Sequence, residues 1–211
     1  SGISNSVRGT ITGGSNGSAS NVIDYVTISS VGNATDFGDS TLTGYWRSGC
    51  SSPTRGINAG GYTDALQNVI DYFEIATTGN AVDFGNLTAA RQAPGGFSSS
   101  TRGAFSGGEE PGLVTTTEYI SIASQGNAID FADLITATQK ATGTSNSVRG
   151  IVAGGKAPGN TNTINYFSIN NGGTATDFGD LTQARERAAA VSDSHGGLND
   201  GYQGTRPTYI P

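Results

Sequence analysis

One period of 47 residues governs this chain and limits its possible folds more than any single motif. The pair Arg-Gly stands at Arg8-Gly9, Arg55-Gly56, Arg102-Gly103 and Arg149-Gly150. The pair Asp-Phe follows the same step at Asp36-Phe37, Asp83-Phe84, Asp130-Phe131 and Asp177-Phe178. Glycine pairs at 13–14, 60–61, 107–108 and 154–155 keep it too, as do Tyr25, Tyr72, Tyr119 and Tyr166. Four units fill residues 1–188 in register, leaving 23 residues. A period of this length denotes one supersecondary unit that buries its apolar surface only by packing on its neighbours. Residues 1–197 are therefore expected to form a single repeat domain, and 198–211, with two Pro and no strand pattern, an irregular tail.

Composition sets the class of the unit. Gly takes 33 of 211 places and only 34% of the chain is hydrophobic, yet eight Tyr, eight Phe and one Trp are too many for a disordered tract. Gly, Ser and Thr with spaced aromatics read as all-β with many tight turns. The net charge of -6 gives no basic face for nucleic acid or an anionic membrane. No run of 18 apolar residues is present, so no membrane insertion is expected. The opening SGISNS shows no leader pattern, and the absence of Met suggests a removed initiator or an excised piece. A single Cys50 excludes an internal disulfide framework, and a lone His195 excludes most His-based metal or triad chemistry within one chain.

The second unit shows four short strands. GCSSPT is the first, RGINAGG the second, ending in a glycine pair, and NVIDYFEIA the third, after the polar loop YTDALQ. The turn TTGN leads to AVDFGNLT, the fourth. On the third strand Val69, Asp71, Phe73 and Ile75 share one face, and Ile70, Tyr72 and Glu74 the other. Apolar residues on both faces place the strand in a sheet sandwiched between other sheets. Such sheets arranged radially make a propeller, and the small residues of the first strand suit its innermost position. The expected fold is a β-propeller of four blades, each of four antiparallel strands. Residues 188–197, AAAVSDSHGG, align with the first-strand positions, so this C-terminal strand is expected to complete the first blade, with the extreme N-terminus displaced or making a contact.

A strand ending in Gly-Gly, a polar loop, a strand with a central Tyr and a strand with an aromatic resemble a kelch-type repeat. The later kelch Trp is absent, and Phe37, Phe84, Phe131 and Phe178 stand for its packing role. The fuller string, from Arg-Gly and Gly-Gly through Tyr and Gly-Asn-Ala to Asp-Phe-Gly-Asp-Leu-Thr, resembles repeats of virion structural proteins of tailed phages, notably marine and cyanobacterial ones. The resemblance covers almost the whole chain and implies a virion or extracellular setting. It speaks to architecture more than to biochemistry, since propellers host unrelated functions.

Candidate chemistry is sparse. Asp36 with Asp39, Asp130 with Asp133 and Asp177 with Asp180 recur three apart, with Asp83 facing Asn86. They could bind Ca²⁺ through oxygen, but lack a dense acidic loop. The stronger reading is structural: Arg8, Arg55, Arg102 and Arg149 bridge Asp36, Asp83, Asp130 and Asp177 and so hold blades together, or the aspartates make Asx turns. Cys50 shares its inner-strand position with Ile3, Phe97, Thr144 and Val191 and reads as a small core residue. His195 has Ser192, Asp193 and Ser194 beside it in sequence, which is not triad geometry. The glycine pairs precede no helix and read as close backbone approaches, not phosphate loops. One stretch departs from the repeat: Tyr45-Trp46-Arg47, where the other units have Gln92-Ala93-Pro94, Gln139-Lys140-Ala141 and Glu186-Arg187-Ala188. With Tyr62 in a variable loop, it is the candidate ligand site, suited to stack a sugar face or enter a partner pocket.

The expected function is a non-enzymatic virion structural or attachment module of tail, fibre or head decoration, with no cofactor or metal. Its expected partners are further copies of itself, other virion proteins, or host surface polysaccharide. Two alternatives share the fold: a glycan-active propeller hydrolase or lyase, and a cellular adhesion or protein-interaction module. The enzyme would need a carboxylate pair that breaks the symmetry of the repeat.

Overall fold

The computed structural model describes residues 1–192; expectations that fall on 193–211, including His195 and the tail, lie outside the described residues. The described chain is all β, with four antiparallel sheets of four strands. The first holds β1 (Gly2–Ser4), β2 (Arg8–Ser15), β3 (Ala19–Thr27) and β4 (Thr35–Asp39). The second holds β5 (Ser48–Ser51) and β6 (Arg55–Ala59), then, after a small hairpin of β7 (Tyr62–Thr63) and β8 (Ala65–Leu66), β9 (Val69–Glu74) and β10 (Val82–Asn86). The third holds β11 (Gly95–Ser98), β12 (Arg102–Ser106), β13 (Thr116–Ser121) and β14 (Ile129–Asp133). The fourth holds β15 (Thr142–Ser145), β16 (Arg149–Ala153), β17 (Thr163–Ser168) and β18 (Thr176–Asp180). Each sheet is a meander in which neighbours in sequence pair in space.

Three apolar cores lie between consecutive sheets. Ile3, Ile23 and Phe37 of the first sheet meet Phe73 and Ile75 of the second. Ile57, Ile70 and Phe84 of the second meet Phe105, Ile120 and Ile122 of the third. Phe97, Ala104 and Leu134 of the third meet Val152, Phe167 and Ile169 of the fourth. This explains the two-faced third strand: Ile70 and Phe73 point opposite ways, and both are buried.

A bulge in each fourth strand couples the first three sheets to the sheet that follows. Ile23 pairs with Gly38 and Asp24 with Asp36, so Phe37 is an extra residue in the ladder. The same shift recurs at Phe84, Phe131 and Phe178. A bulged residue leaves its own ladder, and here its carbonyl turns to the following sheet. Gly79 N–H donates to Phe37 O at 2.8 Å, Gly126 N–H to Phe84 O at 2.8 Å and Gly173 N–H to Phe131 O at 3.2 Å. The inner strands are stitched by serine hydroxyls: Ser51 Oγ donates to Ser4 O, Ser98 Oγ to Ser51 O and Ser145 Oγ to Ser98 O.

Two expectations are corrected. The inner place of the first sheet belongs to β1, whose Ile3 pairs with Thr10, and residues 188–192 form no strand. The N-terminus holds that edge because Ser1 is anchored on both sides: its amine donates to Thr12 O at 2.7 Å and its hydroxyl to Asn58 Oδ1 at 2.7 Å.

The repeated arginines, moreover, do not bridge Asp36, Asp83, Asp130 or Asp177 among the described residues. Arg8, Arg55, Arg102 and Arg149 lie over the rings of Tyr25, Tyr72, Tyr119 and Tyr166, on the strand before the one that carries the aspartates. From there Arg8 Nη1 donates to Ile75 O, Arg55 Nη1 to Ile122 O and Arg102 Nη1 to Ile169 O, at 2.9–3.0 Å. Arg8, Arg55 and Arg102 thus hold units together, but through backbone carbonyls. Asp36 and Asp177 instead accept from Gly38 and Gly179 N–H, two residues on, in Asx-type turns.

Candidate functional site

The segment after each fourth strand contains one residue with positive φ: Trp46 at 59°, Ala93 at 53°, Lys140 at 56° and Arg187 at 57°. Such a backbone in a non-Gly residue costs about 1–3 kcal/mol and needs compensation. A hydrogen-bonded row supplies it. Ala93 N–H donates to Trp46 O, Lys140 N–H to Ala93 O and Arg187 N–H to Lys140 O, at 2.8–3.0 Å. The preceding residues bridge to the variable loops, Tyr45 to Tyr62, Gln92 to Glu109 and Gln139 to Lys156.

In the first unit this row carries rings. Tyr45 and Trp46 meet edge to face at 4.9 Å between centroids, and Tyr62 lies 5.9 Å from Tyr45 and 6.1 Å from Trp46. Trp46 is 43% exposed and Tyr62 half-buried, so the cluster presents aromatic surface to solvent. Lys140 Nζ stands 5.9 Å from the Trp46 ring centre, a cation that the sequence pattern did not single out. A cavity of about 60 Å³ adjoins the rings, too small for a sugar. Any ligand of these rings therefore lies on their exposed faces.

Three of the four expected ligand residues come together; Arg47 does not join them. Its side chain turns inward, is 6% exposed, and pairs with the fully buried Asp71, Nη1 to Oδ2, at 2.9 Å. It also donates to the carbonyls of Gly60 and Asn58. The cause is Asp71: a carboxylate inside a sheet stack must be paired or protonated. Thr41 N–H and Oγ1 complete its shell, and Asn58 Nδ2 donates to its other oxygen at 3.2 Å. Beside this cluster the Ser1 amine has its pKa lowered, first by burial and then by the Arg47 charge.

A second such centre lies one unit on. Glu118, fully buried, accepts from Arg91 and from Thr88 N–H and Oγ1. Asp71, Glu118 and Asn165 occupy one repeat position, and in the fourth sheet the neutral Asn165 accepts Ile135 N–H at 3.2 Å. The signal for this was a pattern of differences. Arg47 and Arg91 each depart from the repeat just ahead of a unit that carries an acid at this position.

Cys50 packs in the core between the second and third sheets, and burial pushes its thiol pKa up. The inner strands β1, β5, β11 and β15, with residues 188–192, line an open cavity of about 650 Å³ whose walls are mostly Ser, Thr and Gly. Among the described residues no group of three or more His, Cys, Asp or Glu gathers at a metal-binding spacing. No helix of the described chain is long and apolar enough to cross a membrane. No known protein family matches the chain, and no curated protein matches it.

Proposed function

We propose that the four sheets are blades of a kelch-like β-propeller and that the chain is a non-enzymatic attachment or structural module of a tailed-phage virion, its ligand a host surface glycan. One observation carries the ligand: Tyr45, Trp46 and Tyr62 form an exposed aromatic cluster where the other units carry polar or small residues. Exposed rings stack on the apolar faces of sugars, and the hydrogen-bonded row beneath them fixes their positions before binding, which lowers the entropic cost. The serine-stitched inner strands and small inner residues support the blade reading.

A glycan array probed with the whole chain tests this. Binding to surface polysaccharides is expected, with loss of signal in Trp46→Ala. Ala93 holds the same backbone conformation at the equivalent place, so Trp46→Ala keeps the fold. Equal binding by both proteins, or turnover of a polysaccharide, contradicts the proposal.

A further inference from the structure

Among the described residues the arginine–carbonyl and glycine–phenylalanine contacts between consecutive sheets are each made three times, which leaves one half of each unused on the first sheet and the other on the fourth. On the first sheet Ile28 is 55% exposed, whereas its equivalents Ile75, Ile122 and Ile169 are buried under the preceding unit. On the fourth sheet Phe178 is 53% exposed, whereas Phe37 and Phe84 are buried under the following unit. A Cβ at Gly38 or Gly85 would strike the carbonyl of Gly79 or Gly126, but at Gly179 it meets nothing within 4 Å. The first and fourth sheets do not mate with each other among the described residues. Among the described residues Arg149 reaches no carbonyl, although Arg8, Arg55 and Arg102 all do.

The unmated halves are complementary. By the 47-residue step, the target of Arg149 is Ile28 O, and the donor to Phe178 O is Gly32 N–H. Charge follows the same register. Arg185 holds the place of Arg91, whose mate is Glu118, and the acid at the Glu118 position of the first unit is Asp24. Thr182 likewise holds the place of Thr88, which donates twice to Glu118. Arg185 is exposed, and the Asp24 carboxylate accepts no hydrogen bond among the described residues. The outer faces of the first and fourth sheets thus carry the apolar and charged groups of a junction between units, not the polar surface of a capping unit.

We propose that the fourth sheet of one copy docks on the first sheet of a second copy, reproducing the junction between units and pairing Arg185 with Asp24, Arg149 with the Ile28 carbonyl, and Phe178 with Val26 and Ile28. The contact is head to tail, so it propagates or closes into a ring rather than stopping at a symmetric pair. It rests on the reading of the sheets as blades, with their ring completed between copies rather than within one chain, and is independent of glycan binding.

Cross-linking between copies tests it. Val26→Cys and Phe178→Cys are made singly and together in a Cys50→Ala background, checked for unchanged melting, and treated with a short bis-maleimide. A mixture of the two single variants is expected to yield a mixed cross-linked pair, and the double variant a ladder of multimers. Sedimentation of the unmodified chain should show mass rising with concentration. Arg185→Glu should weaken that association by roughly tenfold or more, and adding Asp24→Arg should restore it. A double variant that cross-links only within one monomer overturns the proposal while leaving a propeller closed within a single chain standing. Absence of any cross-link, with a monomer at every concentration, overturns both.

Discussion

Arg47 Nη1 lies 2.9 Å from Asp71 Oδ2, and the pair joins the link before the second sheet to the third strand of that sheet. Both groups are withdrawn from water, so each depends on the other. Removing one partner of a buried pair leaves an uncompensated charge and costs about 3–5 kcal/mol. Arg47→Ala is expected to lose about that much in urea unfolding. Asp71→Asn, which keeps an acceptor for Thr41, should lose less than Asp71→Ala.

The repeat itself supplies a rescue. Replacing Arg91 by Thr or Glu118 by Asn alone should destabilise by about 3 kcal/mol. The double variant Arg91→Thr/Glu118→Asn installs the neutral residues that occupy these positions in the next unit, Thr138 and Asn165. It should recover most of the loss, and a double-mutant cycle measures the coupling. Additive losses would show that the two residues do not act as a pair.

Much of this arrangement is legible in sequence. The step of 47 places Tyr, Phe and the glycine pairs in each sheet, and the two-faced third strand identifies a sheet with neighbours on both sides. The target of Arg8 was not legible, because it is a carbonyl, and a carbonyl belongs to every residue. The bulge at Phe37 was hidden for the same reason: it is a hydrogen-bonding state of the backbone, not a residue type. Arg47 appeared as a surface residue because it follows Trp46. Asp71 decides otherwise, and its burial is visible only once the sheets are stacked. Of the aromatic site, Tyr45, Trp46 and Tyr62 stood out as breaks in the repeat, whereas Lys140 comes from another unit and is joined to them only through the row of positive-φ residues.

Arg102 reaches the carbonyls of Ile169 and Asn170 while lying 4.7 Å above the Tyr119 ring. Arg102→Ala should cost about 1–3 kcal/mol. Arg102→Lys should restore little, because a point charge cannot stack on the ring and span two carbonyls at once. Chemical denaturation of the three proteins checks the order.

Cys50 is buried against the place where Gly103 lacks a side chain, and its thiol pKa lies above the ordinary 9.0. A thiol reagent at pH 8 is expected to label it only after unfolding. Above pH 9 the unfolded chain releases this proton while the folded chain keeps it, so stability falls as pH rises through that range. Melting curves at pH 8 and pH 10, compared with Cys50→Ala, should show a larger drop for the native chain.

The most direct test of the account is an experimental structure resolved well enough to place guanidinium groups. It should show four like sheets in series, with Arg8, Arg55 and Arg102 at hydrogen-bonding distance from the carbonyls of Ile75, Ile122 and Ile169 and the chain stepping 47 residues between equivalent contacts. Units of unlike topology, or arginines bound to Asp36, Asp83 and Asp130 instead, would contradict it.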